Sequence, residues 1–230
     1  MSPAVRGLAH GALLATARLR SRSVFVVGAT LAISILVALV QRALGPVGAL
    51  DRALATTASW ILPLAAAGIV TSVLGLRTPR DFAWPAARYG ASRLMVALGA
   101  LGVIALAISL TSAVSSALVV FIAHSSGSRD APLGSDAVTT AGVAALTGWV
   151  YAAALSFGAS FGRRGGGRAI VLALDFVIGG AGVVGFLFPR GHGLNLLGVE
   201  TAAISQRGSS IALVVLAVVW SGLAAFRSRD

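Results

Sequence analysis

The sequence predicts an all-α integral membrane protein, a six-transmembrane-helix bundle preceded by an amphipathic helix at the membrane interface. The first supporting observation is composition: of 230 residues, 57% are apolar and 11% charged, against about half and a quarter in soluble domains. The second is six apolar runs that approach or exceed the roughly 20 helical residues needed to cross a bilayer. The third is an uneven distribution of arginine between alternate loops.

The N-terminal segment, residues 1–23, has helical periodicity and several arginines. Its apolar residues recur at steps of three and four, while most of the arginines lie away from that stripe. The stripe consists of Val5, Leu8, Ala12, Ala15 and Leu19. We therefore expect an amphipathic helix that lies on the cytoplasmic membrane surface or docks on a partner.

Six spans are predicted within a single transmembrane domain that covers residues 1–230, with the spans between residues 24 and 226. They are residues 24–40, 53–76, 94–123, 137–161, 169–188 and 211–226. The third would be about 45 Å long as a helix, so it is tilted or continues beyond the headgroups. Only the fifth contains a charged residue, Asp175.

Arginine predicts the orientation of the spans. All 18 basic residues are arginine, against 7 acidic residues, which gives a net charge of +11. Thirteen of them lie in the two terminal segments and the second and fourth loops, and five lie in the other loops. Since arginine accumulates on the cytoplasmic side, both termini are predicted to be cytoplasmic, in a bacterial-type inner (plasma) membrane. Anionic lipid headgroups then account for much of the charge, and nucleic acid is not an expected partner.

The loop of residues 75–93 carries the clearest helix-start signal. Thr78 precedes Pro79, and Asp81 follows in the first turn, a combination typical of a helix N-terminus. A short cytoplasmic helix is therefore predicted. Its charged and aromatic residues are candidates for a protein contact: Arg80, Asp81, Phe82 and Trp84. Alternatively, the two aromatic residues are interfacial membrane anchors.

The loop of residues 189–208 is predicted to lie on the outer side. Gly191 and Gly193 break the chain, and the apolar residues that follow suit a short amphipathic helix at the outer interface. Two interpretations are open: a lid over a substrate opening, or a re-entrant cap that shields the bundle.

Asp175 is the main candidate site inside the bundle, because a charged residue within a span usually faces the bundle interior or a cavity. It has either a substrate or coupling role, or a structural role as a lock. For the lock, the expected partners are the nearby arginines Arg163, Arg164 and Arg168.

Small and hydroxyl-bearing residues form a second group of candidates. Ser109, Ser112 and Ser116 share one face of the third span, where they line a polar path or mediate helix packing. Gly158 and Gly162 flank Ser160 in a G-x-S-x-G pattern. Because this pattern lacks the strand-turn-helix context of a hydrolase, helix packing through the two glycines is the favoured interpretation.

Several kinds of chemistry are excluded by composition. Without lysine the chain has no Walker A phosphate-binding loop, and without cysteine it has no thiolate site. The three histidines are scattered, so no metal site is predicted. No catalytic residue is assigned, and the chain is not expected to be an enzyme.

The order of these elements resembles the permease of the ABC type-2 transporter family. The features that carry the resemblance are the basic helix of residues 3–22, the short helix before a Pro/Arg-rich start of span three (85–93), the small-residue junction 155–169, the outer amphipathic segment, and the ending Ala-Ala-Phe-Arg-Ser-Arg-Asp (224–230). The resemblance covers essentially the whole chain.

This resemblance implies a permease subunit of an ATP-driven exporter, coupled to a separate ABC ATPase subunit. ATP and Mg²⁺ would then be bound by the ATPase partner, with no cofactor on this chain. Arg80, Asp81, Phe82 and Trp84 would lie at or near the ATPase contact, and a second permease copy, identical or related, would complete the path. The alternative is a non-catalytic scaffold or assembly subunit of a larger membrane complex.

Overall fold

The computed structural model describes residues 2–124, 132–180, 185–200 and 204–229. All regular secondary structure in these ranges is helical, as the sequence predicts. Five of the helical segments are long and apolar enough to cross a membrane, which indicates a multi-pass membrane protein.

The helices are numbered along the described chain. They are α1 (Pro3–Arg22), α2 (Val24–Leu44), α3 (Ala49–Thr56), α4 (Leu62–Leu74), α5 (Pro79–Ala87), α6 (Arg93–Ala123), α7 (Leu133–Gly158), α8 (Gly167–Ile178), α9 (Pro189–Leu196) and α10 (Gln206–Phe226). Helices α2, α6, α7 and α10 correspond to the first, third, fourth and sixth predicted spans.

The second predicted span is a continuous helical segment that contains one irregular turn. A π-helical turn, Thr57–Ile61, joins α3 to α4, and Pro63 lies in the first turn of α4. Because proline has no amide hydrogen to donate to the preceding turn, the helix widens by one residue here.

The fifth predicted span, residues 169–188, is not one continuous helix. Helix α8 ends at Ile178, and Gly179 and Gly180 form a turn directly after it, as expected from the low helix propensity of glycine. Its 12 residues span about 18 Å, well short of a bilayer. Residues 181–184 of this predicted span, and residues 201–203 of the predicted outer segment, lie outside the described residues.

The largest apolar core lies where α1, α4, α6 and α7 meet. Its buried residues include Ala15, Ile69, Val70, Val73, Leu74, Phe82, Ile104, Ile108, Tyr151 and Leu155. This core joins helices from Ala15 of α1 to Leu155 of α7, so it packs the first two thirds of the chain around α6 and α7.

Helix α1 packs on the first turns of α6 through glycines. A Cβ at Gly7 would lie 2.8 Å from the Met95 Cβ, and a Cβ at Gly11 would overlap the Val96 carbonyl oxygen. Of the predicted apolar stripe, Ala15 is buried, whereas Val5 and Leu8 are exposed. The buried face of α1 is therefore formed by its small residues, which allow the backbones to approach closely.

Arginine side chains satisfy carbonyl groups at several helix ends. Near the end of α4, Arg18 donates to the Val73 carbonyl and Arg168 to the Gly75 carbonyl. Arg42 donates to the Ile122 carbonyl near the end of α6, and Arg52 to the Gly45 carbonyl after α2. Arg190 donates to the Phe176 carbonyl near the end of α8. The last turn of a helix leaves such carbonyls without intrahelical partners, and a cation there is favourable.

The ends of α7 and α10 lie on the same side of the bundle as α5. Ser160 beyond α7, Phe226 at the end of α10 and Trp84 of α5 line one crevice. Because α7 and α10 both end on this side, the chain that joins them, which includes α8 and α9, runs from this side to the opposite end of the bundle, where α10 begins.

Candidate functional site

Most of the candidate residues lie in two regions of the described chain. One is helix α5 with the crevice beside it, and the other is the surroundings of Asp175. The predicted short helix of the first region is confirmed as α5. Thr78 Oγ accepts a hydrogen bond from the Asp81 N–H at 3.1 Å, and the Asp81 carboxylate accepts one from the Thr78 N–H at 3.4 Å. This capping box fixes the start of α5.

The four predicted contact residues of α5 do not share one environment. Phe82 is only 3% exposed and belongs to the main core, where the Arg18 guanidinium lies 4.8 Å from its ring centroid. Trp84 is 46% exposed, and both Arg80 and Asp81 are exposed. Phe82 therefore anchors the helix, and the other three residues are available to a partner.

A crevice of about 550 Å³ opens beside the exposed face of α5. It is lined by Thr78, Pro79, Arg80, Asp81, Trp84, Ser160, Phe226 and Arg227. The Arg227 guanidinium lies 4.9 Å from the Phe161 ring centroid, and the Arg93 guanidinium lies 4.4 Å from the Trp84 centroid. Such paired cationic and aromatic groups are typical of protein contact surfaces.

Asp175 is 1% exposed and lies on α8, facing α7. The Tyr151 hydroxyl donates a hydrogen bond of 2.8 Å to Asp175 Oδ2, whereas Oδ1 has no hydrogen-bond partner among the described residues. Arg190 of α9 donates from Nη1 to the carbonyl of Phe176, the residue after Asp175, at 3.2 Å. The carboxylate therefore links α7 to α8, and Arg190 links α8 to α9.

The partners of Asp175 differ from the three arginines that the sequence suggested. Arg168 Nη2 donates to the Gly75 carbonyl at 2.6 Å and to the Arg164 carbonyl at 3.4 Å. Within the described ranges, no ion pair joins Asp175 to Arg163, Arg164 or Arg168. Arg168 instead ties the start of α8 to the segment after α4.

Irregular backbone is concentrated near Asp175. The ring of Trp60, in the π-helical turn, stacks on the ring of Phe176 with centroids 5.0 Å apart. Leu194 of α9 packs with Ala58 of the same turn. Broken helices within a membrane protein are stable only where protein or a cavity surrounds them, and they often mark functional regions.

A second buried polar network joins α9 to α10. Asn195 Nδ2 donates to Ser209 Oγ at 2.8 Å and to the Ile204 carbonyl at 3.1 Å. His192 Nδ1 lies 3.3 Å from Ser209 Oγ, and its Nε2 lies 3.1 Å from the Phe186 carbonyl. The helix of the predicted outer segment thus packs inward through polar residues.

The serines on α6 lie at its contact with α7. Ser109 Oγ donates to the Ala145 carbonyl at 2.9 Å, and a Cβ at Gly148 would lie 2.8 Å from Ser112 Oγ. Ser116 is buried as well. The serines therefore lie within the contact between α6 and α7, and a polar path along this face stays a prediction.

The two glycines after Phe157 have different roles. A Cβ at Gly158 would lie 2.8 Å from Val171 Cγ2 of α8, so Gly158 permits close approach of α7 and α8. Gly162 has a φ of +74° in the turn between those helices, a conformation that glycine adopts without strain. Ser160 lies in the same turn and faces the α5 crevice.

Sequence reasoning did not identify Tyr151 as the hydrogen-bond partner of Asp175. The available signal was that Tyr151 is one of only two tyrosines and stands within an apolar run. A buried tyrosine hydroxyl needs a hydrogen-bond partner, and Asp175 is the charged residue of the neighbouring span.

No group of three or more His, Asp or Glu side chains that could hold a metal ion occurs in the part of the chain that the structure describes. No family model, curated protein or solved structure matches the sequence.

Proposed function

We propose that this chain is the permease subunit of an ATP-driven exporter of the ABC type-2 kind, coupled to a separate ATPase chain. The observation that carries the proposal is the construction of α5. Its inner face is anchored in the main core by Phe82, while Arg80, Asp81 and Trp84 remain exposed beside an open crevice.

Six membrane crossings with both termini in the cytoplasm form part of the proposal. Five are the long apolar segments, and the fifth in chain order would be made in two pieces by α8 and α9. Support comes from the shared crevice, because Ser160 after α7 and Phe226 of α10 lie on the same side. An excursion between them requires one outward and one return crossing. The arginine-rich loops favour a cytoplasmic location of that side.

Mechanical coupling would pass through Phe82 and its neighbours. Arg18 of α1 lies over the Phe82 ring and also donates to the Val73 carbonyl at the end of α4. Since packed interiors are not continuously deformable, displacement of α5 by a nucleotide-driven partner would shift α1 and α4 with it. A second permease copy would form the other half of the translocation path.

The test uses the double variant Arg80→Ala/Trp84→Ala in the full chain. We expect it to bind an ATPase partner about tenfold more weakly, in the range of an interface hot spot, while its folding is unchanged because both side chains are exposed. Purified membrane assemblies would be assayed for bound ATPase chain and for ATP hydrolysis. The matched control is Arg207→Ala/Trp149→Ala, which removes an exposed arginine at the start of α10 and an exposed tryptophan within α7.

Two results would reject the proposal. One is an intact assembly that contains no ATPase chain, which favours the scaffold subunit instead. The other is an equal loss of ATP hydrolysis in the test and control variants, which would show that the exposed face of α5 has no specific role in coupling to the ATPase.

A further inference from the structure

The corner between α1 and α2 contains an apolar groove on the outside of the bundle. Its volume is about 410 Å³, and its wall on α2 is formed by Val24, Val27, Gly28 and Leu31. A Cβ placed at Gly28 would meet no atom within 4 Å. Gly28 therefore leaves an open channel along a helix that is long and apolar enough to cross the membrane.

One cationic group stands at the mouth of this groove. Arg20, on the last turn of α1, lines it and is exposed. Several other arginines donate to helix-end carbonyls, but no hydrogen bond or ion pair of Arg20 occurs among the described residues. Its guanidinium is thus available to an anion at the level where the apolar helix begins.

An unsatisfied hydroxyl lies between the charged and the apolar parts. Ser23 is 1% exposed, lines the groove, and has an Oγ without a hydrogen-bond partner. The hydroxyl is itself buried and does not form part of the groove surface, so the surface is apolar up to Arg20.

We propose that this groove is a binding site for one anionic glycerophospholipid of the adjoining leaflet. The phosphate would bind the Arg20 guanidinium, and one acyl chain would lie along Gly28 and Leu31. The order of a cationic group and an apolar wall along the groove matches the order of headgroup and acyl chain in such a lipid, and an arginine at the membrane surface favours an acidic headgroup.

The test measures lipid binding by the purified full chain. Phosphatidylglycerol and phosphatidylcholine with identical acyl chains would be compared by native mass spectrometry and by the rise in melting temperature on lipid addition. We expect about fivefold preference for phosphatidylglycerol, the value of one arginine near the headgroups. Soluble glycerol 3-phosphate should give no rise, because the groove is mainly apolar.

Two variants address the two ends of the site. Arg20→Gln should abolish the preference for phosphatidylglycerol, and Gly28→Leu should lower binding of both lipids by filling the channel. The matched controls are Arg163→Gln, at another exposed arginine, and Gly222→Leu, at another glycine with open space around it. Melting temperatures without added lipid verify that each variant is folded.

Three outcomes would overturn the proposal. Equal binding of the two lipids by the unaltered protein would show that the site does not recognise the charge of the headgroup. Equal effects of Gly28→Leu and Gly222→Leu would show that the lipid does not bind in this groove. A change in oligomeric state with Gly28→Leu alone would assign the groove to a second copy of the chain instead.

Discussion

Two regions of the bundle are held together in opposite ways. Where α1 crosses α6, unbroken helices meet through Gly7, Gly11 and Gly99, and their backbones approach so closely that no Cβ fits. Where α8 and α9 lie, the helices are short and polar side chains make the contacts, chiefly Asp175 with Tyr151 and Asn195 with Ser209.

The difference follows from backbone hydrogen bonding. An unbroken helix satisfies its own amides and carbonyls, so it needs only a smooth surface for close packing. A broken helix leaves such groups without partners, and in an apolar bundle side chains have to supply them. Small residues therefore stabilise the first region, whereas in the second region hydrogen-bonded polar side chains are added to the close approach at Gly158.

The largest effect is expected at the glycine contact. Gly11→Val should lower the free energy of unfolding by about 3 kcal/mol or more, because the new side chain would overlap the Val96 backbone. Unfolding in detergent would be followed by circular dichroism. Gly222→Val, at a site with open space, should leave stability nearly unchanged, and similar losses in both variants would contradict the packing described here.

An intermediate effect is expected at the buried carboxylate. Tyr151→Phe should cost about 2 kcal/mol, because it removes the hydroxyl that donates to Asp175. The added cost should be smaller in an Asp175→Asn background, as a double-mutant cycle would show. Tyr89→Phe is the control, since Tyr89 is 92% exposed. An equal loss of stability in both variants would mean that the loss does not come from the hydrogen bond between Tyr151 and Asp175.

The smallest of the three effects is expected in the α9–α10 network. Asn195→Ala should cost about 1.5 kcal/mol, because it removes the donor to the Ile204 carbonyl and to Ser209 Oγ. The loss should be accompanied by faster amide exchange in α9, with α1 and α6 unaffected. Ser210→Ala, which removes one exposed bond, should change neither measurement, and exchange that rises in α6 as well would show that the two regions are not independent.

Local signals in the sequence were sufficient to predict the long helices and the start of α5. Uncharged runs identify α2, α6, α7 and α10 because crossing a membrane requires such runs. The Thr78 and Pro79 signal works because a cap depends only on neighbouring residues. The glycines through which α1 packs on α6 were not identified, since they lie outside the apolar stripe; that the stripe faces the membrane surface or a partner stays a prediction.

The surroundings of Asp175 depend on contacts between distant parts of the chain. Tyr151 is 24 residues away in sequence and carries no charge, so a search for ion-pair partners favours the nearer arginines. The end of α8 at Ile178 was also missed, because a hydropathy window counts glycine as compatible with a span although two successive glycines interrupt the helix.

The arginines that donate to helix-end carbonyls contribute less to the surface potential than their formal charge. Three of the five in the less basic loops, Arg42, Arg52 and Arg190, have their guanidinium groups engaged in this way. Their charge is partly offset by the negative ends of helix dipoles. The surface potential on that side is consequently weaker than the formal charge suggests, so the potential difference between the two faces cannot be read from residue numbers alone. Lysine would not reproduce this arrangement, because a planar guanidinium has five donors in fixed directions and an ammonium group does not.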